Sequence, residues 1–485
     1  MNYQIIKRVI GWLLLFEAIF FLVPTVAAII YKEEELFDFL ICILICGMLG
    51  GVCLIGKPRS MEMYAKEGFV IVALCWIVLS LFGCLPFLIS GAIPSFIDAL
   101  FETVSGFTTT GASILSGAQI EGMAKSLLLW RSFTHWIGGM GVLVFIIAFL
   151  PLSGAKNMNL MRAESPGPTV GKLVHKVRTT ALILYAIYFA LTVILFVLLV
   201  LGSMPIFDAL NAAFGTAGTG GFGIKSDSFT SYSTYSQIVV TVFMLLFSLN
   251  FNAYFLLLCG KIKDVFNTEI KVFIGIVATA IIFITLNVYF TASTVFSYTF
   301  GEALKHSAFS VASVISTTGY ATANFNHWPA FSQGLLVLLM FIGACAGSTG
   351  GGIKVSRVVV LYKGATHEMK RLLHPKQVKK ITMDGEIVEH EVVRGINAYM
   401  VAYVLIYIVS FLLISLDCQD FTTNFTAVVA TFNNIGPGLG MVGPDGGFAF
   451  YSVWSKLVFI FDMLAGRLEI FPMLLLFSLR TWRKA

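Results

Sequence analysis

Ten long apolar stretches constrain the chain more than any other feature. Each holds about 20 residues, enough for a helix to cross a hydrocarbon core about 30 Å thick. With 58% hydrophobic and 12% charged residues and a mean hydropathy of +0.88, the composition lies outside the soluble range. We predict an all-α polytopic membrane protein. The candidate spans are Val9 to Tyr31, Leu36 to Ile55, Phe69 to Ser90, Ser126 to Leu152, Thr180 to Leu201, Ile238 to Cys259, Val272 to Phe290, Gly334 to Tyr362, Ile396 to Leu416 and Val453 to Leu479.

The basic residues are concentrated in alternate loops, which explains the net charge of +6 better than a nucleic-acid partner does. Basic clusters precede the first span, follow every second span and end the chain, whereas opposite loops such as Glu33-Glu34-Glu35 are acidic. By the positive-inside rule, both termini are expected in the cytoplasm, with the lipid bilayer as surroundings. The first span carries Glu17 and Pro24 and lacks a small-residue cleavage site, so we expect it to remain in the mature protein.

A polar glycine turn recurs four times after the first two spans, at intervals of roughly a hundred residues. The turns are centred on Gly111, Gly220, Gly319 and Gly436. Each copy contributes two spans, and an even number of spans makes all copies parallel around an axis normal to the membrane. The predicted regions are an N-terminal two-helix domain (1–67), repeat 1 with a cytoplasmic loop (68–178), repeat 2 (179–264), repeat 3 (265–365), a cytoplasmic linker (366–394) and repeat 4 (395–485).

A segment too short to cross the membrane precedes each turn. These segments are Ser95 to Gly106, Ile206 to Thr216, Phe300 to Ser316 and Phe421 to Phe432. Asp98, Asp208 and Glu302 favour the positive ends of three such helices, and Thr422 or Thr423 is expected to cap the fourth. We therefore predict four outer helix–pore helix–inner helix repeats around one pore, as in potassium channels.

The glycine turns have the composition of an ion filter. Backbone carbonyl oxygens replace the water that K⁺ loses, and glycine reaches the positive φ angles that aim several carbonyls at one axis. The candidate filter residues are Thr109, Thr110, Gly111, Thr219, Gly220, Thr317, Thr318, Gly319, Asn434, Ile435 and Gly436. One such turn alone would indicate a plain connector, but four in register favour a filter. The fourth turn is the most divergent.

A second glycine run interrupts the third inner span. Its candidate gate residues are Gly343, Gly347, Gly350, Gly351 and Gly352. Glycine is about 1 kcal/mol worse than alanine in a helix, so a break is expected that would plug the path as a gate. The alternative is a tightly packed helix interface. Similar sequence distances from the four turn glycines place one residue of each inner helix at the same level. These residues are Gly139, Asn250, Gly350 and Arg467.

Arg467 is a charge inside the last span, where charges are costly and commonly functional. Facing the pore, Arg467 would raise the barrier to cations below the filter, and we group it with the gate. The alternative is an ion pair with Asp462 or Glu469 that only holds helices together. Arg131 and His135 are predicted to be structural.

No pattern indicates an enzyme or a bound organic cofactor. No catalytic constellation recurs within the spans. The GxGxxG match at Gly218 to Gly223 follows a helix rather than a strand, and the P-loop-like run ending at Lys354 has Ile353 at the lysine position. We expect K⁺ as the transported ion. A symporter coupled to H⁺ or Na⁺ stays open as the alternative, although it would need more ionisable residues at the midplane.

The motifs together resemble the Trk/Ktr/HKT superfamily of potassium transporters, and within it the TrkH type, over essentially the whole chain. They are Gly106 to Ala112, Trp130-Arg131-Ser132, Trp136 to Gly141, Thr219 to Phe222, Ala346 to Lys354 and Gly466-Arg467. The resemblance implies K⁺ uptake across a bacterial plasma membrane by a homodimer with a pore in each subunit. It also implies an intramembrane gate in repeat three and a cytoplasmic ring of TrkA- or KtrA-type nucleotide-binding regulatory subunits.

Overall fold

The computed structural model describes residues 1–56, 65–141, 177–291, 297–374 and 380–482. Over these residues the protein is α-helical apart from short 3₁₀ turns and one antiparallel hairpin, β1 (Thr382–Met383) and β2 (Glu386–Ile387), which confirms the all-α fold. The helices are α1 (Tyr3–Phe20), α2 (Leu22–Tyr31), α3 (Leu36–Leu54), α4 (Ala65–Gly83), α5 (Leu85–Ile89), α6 (Phe96–Phe107), α7 (Gly117–Glu121), α8 (Lys125–Gly139), α9 (Val177–Leu201), α10 (Ile206–Gly218), α11 (Thr234–Phe247), α12 (Phe251–Leu258), α13 (Ile262–Val265), α14 (Thr268–Phe290), α15 (Phe300–Ile315), α16 (Ala330–Ile342), α17 (Val355–Leu373), α18 (His390–Ile414), α19 (Phe421–Phe432), α20 (Val453–Arg467), α21 (Phe471–Phe477) and α22 (Leu479–Trp482).

Six continuous stretches in the described residues are long and apolar enough to cross a membrane. They are Tyr3–Tyr31, Leu36–Leu54, Lys66–Ile89, Thr179–Leu201, Thr268–Phe290 and His390–Asp417. All six coincide with predicted spans. Three of the other four candidates are broken: a break was expected in Gly334 to Tyr362, whereas the expectation of unbroken spans is wrong for Ile238 to Cys259 and Val453 to Leu479. The fourth, Ser126 to Leu152, begins as α8, and its part beyond residue 141 lies outside the described residues.

The N-terminal helices α1 to α3 pack against the helices of repeat one, on the side that faces away from the other repeats. Gly11 of α1 and Gly50 of α3 face each other so closely that a methyl group at Gly11 would lie 3.0 Å from the Gly50 carbonyl oxygen. Such small-residue contacts let helix backbones approach in a membrane. Phe21, between α1 and α2, packs on Trp130 of α8 with ring centroids 4.5 Å apart. The two-helix unit is therefore anchored to the first inner helix.

The four repeats close on themselves through their helix contacts. In each repeat an outer helix (α4, α9, α14 or α18) leads to a short helix (α6, α10, α15 or α19) and then to an inner helix (α8, α11, α16 or α20). Each inner helix packs against the short helix of the next repeat: α8 on α10, α11 on α15 and α16 on α19. Because α20 packs in turn on α6, the contacts form a closed ring.

Candidate functional site: four glycine turns and the loop beneath them

All four short helices end in the same Schellman motif, in which two backbone N–H groups beyond the helix bond back to its last turn. The outer bonds join Thr110 to Ser105, Gly220 to Gly215, Thr318 to Ser313 and Ile435 to Ala430, at 2.8–2.9 Å. The inner bonds join Thr109 to Gly106, Thr219 to Thr216, Thr317 to Val314 and Asn434 to Thr431, at 3.1–3.3 Å. The four turns therefore share one backbone conformation.

The left-handed residue of this motif is not glycine in any repeat. Thr109, Thr219, Thr317 and Asn434 have φ between 54° and 59°. A β-branched residue in this region is an outlier, and such strain costs about 1–3 kcal/mol and persists only where the surroundings enforce it. Three strained threonines at one structural position indicate a geometry that the fold maintains at a cost.

A glycine with positive φ follows two residues later in every turn. These glycines are Gly111, Gly221, Gly319 and Gly436, with φ of 78°, 80°, 85° and 94°. The equivalent glycine of the second turn is thus Gly221, and the predicted register, centred on Gly220, is corrected by one residue. Gly220 instead corresponds to Thr110, Thr318 and Ile435.

The carbonyl oxygens at this middle position form the ring contacts between turns. A methyl group added to each turn glycine would meet the middle carbonyl of the next repeat; the pairs are Gly111 with Gly220, Gly221 with Thr318, Gly319 with Ile435 and Gly436 with Thr110. At the closing pair the distance would be 2.8 Å. The sequence of contacts runs from repeat one to four and back to one, so the turns enclose a common axis.

The structure brings the predicted turn residues together at this ring. The four turn glycines line a single cavity of about 110 Å³ on the side away from the inner-helix breaks. Arg131 and Lys225 also line this cavity, together with Asp445 from the loop that follows the fourth turn. Asn324 donates to the Asp445 carboxylate at 2.5 Å, which joins the third and fourth repeats at its rim.

The side chains of the turns divide into two groups. The hydroxyls of Thr110 and Thr318 bond to Thr108 and Ser316, at 2.8 and 2.7 Å, and so stabilise the helix ends behind the turn. One position earlier, Thr109 Oγ1 and Asn434 Oδ1 are buried and have no hydrogen-bond partner among the described residues.

Buried polar side chains fix the first turn to the second. Glu102 accepts from Arg131 at 2.6 Å and from the backbone of Ile114 at 3.0 Å. Arg131 also donates to the Gly223 carbonyl at 2.9 Å and lies over the Phe222 ring. His135 bonds the Gly106 carbonyl at 2.7 Å through Nδ1, and Nε2 accepts from the Phe222 N–H at 3.3 Å. These contacts give Arg131 and His135 a bracing role.

The other ring contacts are bridged as well. Tyr320 of the third turn donates to the Phe222 carbonyl at 3.3 Å. Asn326 exchanges two hydrogen bonds with the backbone of Gly440, each 3.0 Å long, which joins repeats three and four. Asn434 donates to Thr110 Oγ1 at 2.9 Å and so joins repeats four and one. Hydrogen bonds therefore hold the ring at all four junctions.

Helix caps orient the short helices toward the ring. Ser95 and Thr299 cap α6 and α15, and Glu302 completes a capping box with Thr299. The fourth cap is Asp420, which accepts from the Thr423 N–H at 2.9 Å, so the prediction of Thr422 or Thr423 is wrong. Each helix directs its C-terminal end, which carries about half a negative charge, at a turn.

Within the described residues each inner helix ends or bends at the predicted level, whereas a break was expected only in the third. Helix α8 ends at Gly139, and α11 and α12 meet at 91° beside Asn250. Helix α20 ends at Arg467, where Glu469 and Ile470 have φ of 55° and 68°. In repeat three the segment 343–354, called the intramembrane loop below, separates α16 from α17.

The intramembrane loop lies directly against the inner side of the turns. The Gly351 N–H donates to Thr317 Oγ1 at 2.7 Å. A methyl group at Gly350 would lie 2.8 Å from the Ser316 carbonyl oxygen, and one at Gly351 would meet the Asn433 carbonyl. Gly343, Gly347 and Gly352 have φ of 70°, 68° and 80°, which allows the loop to fold back on itself in this space.

The loop also supplies the hydrogen bonds that the break in repeat two leaves unmade. Cys345 N–H donates to the Ser248 carbonyl at 3.1 Å, and the Phe251 N–H donates to the Gly347 carbonyl at 3.0 Å. Irregular backbone at membrane depth requires such partners. The loop and the broken helix of repeat two thus provide hydrogen-bond partners for each other's backbone.

Arg467 links three repeats below the turns. Its guanidinium donates to the carbonyls of Gly138 and Gly139 in repeat one, at 2.5 and 2.7 Å, and to Thr349 in the loop at 2.7 Å. The two carboxylates predicted as alternative partners contact other groups: Glu469 pairs with Arg357 at 2.5 Å, and Asp462 accepts from Ser410 at 2.6 Å.

Several residues at this site were missed by sequence reasoning. Gly221 was available from the pattern Thr/Asn-x-Gly, which all four turns share. Lys354 is 2% exposed, and its Nζ donates to the Gly350 carbonyl within the loop. Glu269 is buried beside the loop. No local signal marks these last two residues, because their roles arise from contacts with distant segments.

The comparisons with known proteins agree with this architecture. The family described as "TrkH: Cation transport protein" matches residues 35–483. The chain is 35% identical to the Trk system potassium uptake proteins TrkH of Salmonella typhimurium and Escherichia coli, with 100% of each chain covered. The crystal structure of the potassium transporter TrkH from Vibrio parahaemolyticus matches with a TM-score of 0.88 and 32% identity, again over 100% of both chains. This multi-pass membrane protein therefore belongs to the TrkH family of cation transport proteins.

Proposed function

We propose that this protein takes up K⁺ across the plasma membrane through the ring of four turns, which acts as its selectivity filter. The observation that carries the proposal is the repeated backbone geometry, in which equivalent carbonyls of Thr110, Gly220, Thr318 and Ile435 close a ring around one axis. The names of the relatives, which are potassium uptake proteins, support K⁺ as the transported ion.

The chemistry of the ring suits a weakly hydrated monovalent cation. Carbonyl oxygens replace the water that K⁺ loses, and several equivalent oxygens on one axis make that exchange favourable. The negative ends of the four short helices add an attractive field without a fixed full charge that would trap the ion.

We infer further that the intramembrane loop is the gate. In this conformation it lies against the inner side of the turns, and Arg467 brings a positive group to the same level. Cations that leave the filter therefore meet both an obstruction and a repulsive field. The loop must move, and the contacts of Arg467 with Thr349 must break, for ions to pass.

We also propose the assembly that the resemblance to the family implies. A homodimer with one pore in each subunit would be opened by a cytoplasmic ring of TrkA- or KtrA-type nucleotide-binding subunits, with both termini of this chain in the cytoplasm. Helix α17 continues from the loop into the polar segment that carries the β1–β2 hairpin. This connection supports a cytoplasmic site of control.

Flux measurements on purified protein in liposomes test the proposal. We expect K⁺ and Rb⁺ to pass well above Na⁺ and Li⁺, with a reversal potential that follows the K⁺ gradient alone. Equal fluxes for the four cations would contradict the filter. A reversal potential that moved with an imposed H⁺ or Na⁺ gradient would make the protein a coupled symporter instead.

A further inference from the structure

One buried carboxylate positions the intramembrane loop from outside the loop. Glu269 lies in the first turn of α14 and is 3% exposed. Its Oε1 accepts from the Ala346 N–H of the loop at 2.7 Å and from the Ser356 N–H of α17 at 3.1 Å. A carboxylate at a helix N-terminus is stabilising, and here it also ties that helix to the loop. Glu269 thus contacts both the loop and the start of α17. The junction between these two segments is called the hinge below.

The residue before Glu269 is held from the cytoplasmic side. Asp384, at the tip of the β1–β2 hairpin, accepts at Oδ1 from both the N–H and the hydroxyl of Thr268, each at 2.6 Å. Thr268 is the first residue of α14. The side chain of Asn267 caps this helix by accepting from the Ile270 N–H at 2.9 Å, so Asp384 adds a second cap to the helix end that presents Glu269.

The hairpin also contacts the helix that leaves the loop. Lys363 of α17 donates to the Thr382 carbonyl of β1 at 2.9 Å. The hairpin thereby joins α17 to the start of α14, and Glu269 joins the start of α14 to the loop and the start of α17. The four contacts form a closed circuit around the hinge.

We propose that the β1–β2 hairpin is a clasp: docked through Asp384, it holds α14 and α17 together so that Glu269 keeps the intramembrane loop against the turns. This inference rests on the proposed role of the loop as gate. Displacement of the hairpin on the cytoplasmic side removes the second cap, frees α17 from α14 and weakens the grip of Glu269 on Ala346. Opening is then coupled to an exposed segment that a cytoplasmic ligand can reach.

Rubidium uptake into liposomes by the protein without partners tests the clasp. Asp384→Ala removes the acceptor of two short hydrogen bonds, and we expect basal uptake to rise about fivefold. Asp384→Asn keeps an acceptor oxygen and should return uptake close to that of the original protein. Glu386→Ala removes a carboxylate from the same hairpin and serves as the matched control, with uptake unchanged. An unchanged rate for Asp384→Ala, or an equal rise for Glu386→Ala, overturns the clasp.

A double-mutant comparison tests whether Asp384 acts through Glu269. We expect Glu269→Ala to raise uptake by about tenfold, and the double variant with Asp384→Ala to add little to that. Glu269→Gln keeps an acceptor for the two N–H groups and should restore most of the closed behaviour. Fully multiplicative effects of the two alanine variants would show independent actions and overturn the relay.

A native thiol reports the loop directly. Cys345 is buried in the loop, and N-ethylmaleimide labelling of this cysteine, read by peptide mass spectrometry, should accelerate several-fold in Asp384→Ala. Equal labelling rates in the two proteins would contradict the clasp. This readout does not depend on transport. Faster labelling without K⁺-selective flux would sink the proposed function while leaving the clasp, whereas selective flux with unaltered labelling would do the reverse.

Discussion

The turns and the breaks beneath them are two layers of the same four repeats, yet they differ in kind. In the upper layer each repeat has the same Schellman bonds, a left-handed residue at the same position and a glycine two residues later. In the lower layer one repeat ends its helix at Gly139, one bends by 91°, one inserts a loop, and one presents Arg467. Symmetry is thus kept in the layer that we propose as the filter, and is lost in the layer that we propose as the gate.

Gly319→Ala should break the upper layer and have the largest effect. An alanine at this position would have to adopt a φ of 85°. Its methyl group would overlap the Ile435 carbonyl and lie 2.8 Å from Pro437. Strain of this kind costs about 1–3 kcal/mol before the overlap is counted, so we expect K⁺ uptake to fall by about a hundredfold or more. Gly334→Ala, in the same repeat with open space around the site, is the matched control and should leave uptake unchanged. Normal uptake by Gly319→Ala would contradict the ring.

Shortening the intramembrane loop should break the lower layer in the opposite direction. Removal of residues 346–350 deletes Thr349, whose carbonyl accepts from Arg467, and Gly350, which lies close to the Ser316 carbonyl. We expect basal uptake to rise by about tenfold or more, because an obstructed path becomes open most of the time. Size-exclusion and thermal-melting measurements identify the folded fraction. Unchanged flux through folded protein would remove the gate from this loop.

Substitutions of Arg467 separate charge from geometry. Arg467→Ala removes three hydrogen bonds to carbonyls, and we expect basal uptake to increase about threefold to tenfold. Arg467→Lys keeps the charge but not the planar fork that reaches two repeats at once. An intermediate rate for the lysine variant would indicate that both matter. Rates for both variants equal to that of the original protein would show that Arg467 only holds helices together.

The smallest effect is expected at a helix cap, far from the axis. Asp420→Ala removes the cap of α19, which should cost about 1 kcal/mol and lower the melting temperature by a few degrees while selectivity stays the same. Thr422→Ala, two residues along the same helix, is the control and should have a smaller effect. A larger loss of stability in Thr422→Ala would restore the sequence-based assignment of the cap.

Much of the upper layer was accessible from sequence because it is built from local bonds. Predicted segments such as Phe421 to Phe432 coincide with a short helix, and the turns begin where the apolar pattern stops. The Gly220 register failed by one residue because Thr219-Gly220-Gly221 offers two adjacent glycines, and only the Schellman bond to Gly215 decides between them. The prediction of the α19 cap was wrong for a similar reason. Aspartate and threonine are both good capping residues, so the choice among Asp420, Thr422 and Thr423 depends on where the helix begins.

The lower layer was less accessible because its partners are far apart in the chain. A spacing argument correctly aligned Gly139, Asn250, Gly350 and Arg467, but hydropathy alone made three of the inner helices look continuous. The breaks at Asn250 and Arg467 are stabilised by contacts with the loop and with repeat one, which no single stretch reveals. The roles of Glu269 and Lys354 required the folded arrangement for the same reason.

The left-handed residue of the fourth turn has a consequence for how this ring can vary. Asn434 adopts φ 56° without a branched Cβ, and its side chain bonds both Thr110 and the Met463 carbonyl. A single polypeptide that supplies all four walls is free to alter one wall without altering the others. If the ring is the filter that we propose, a change at Asn434 would alter the contact between the fourth turn and the first while the three turns with a left-handed threonine keep their own bonds.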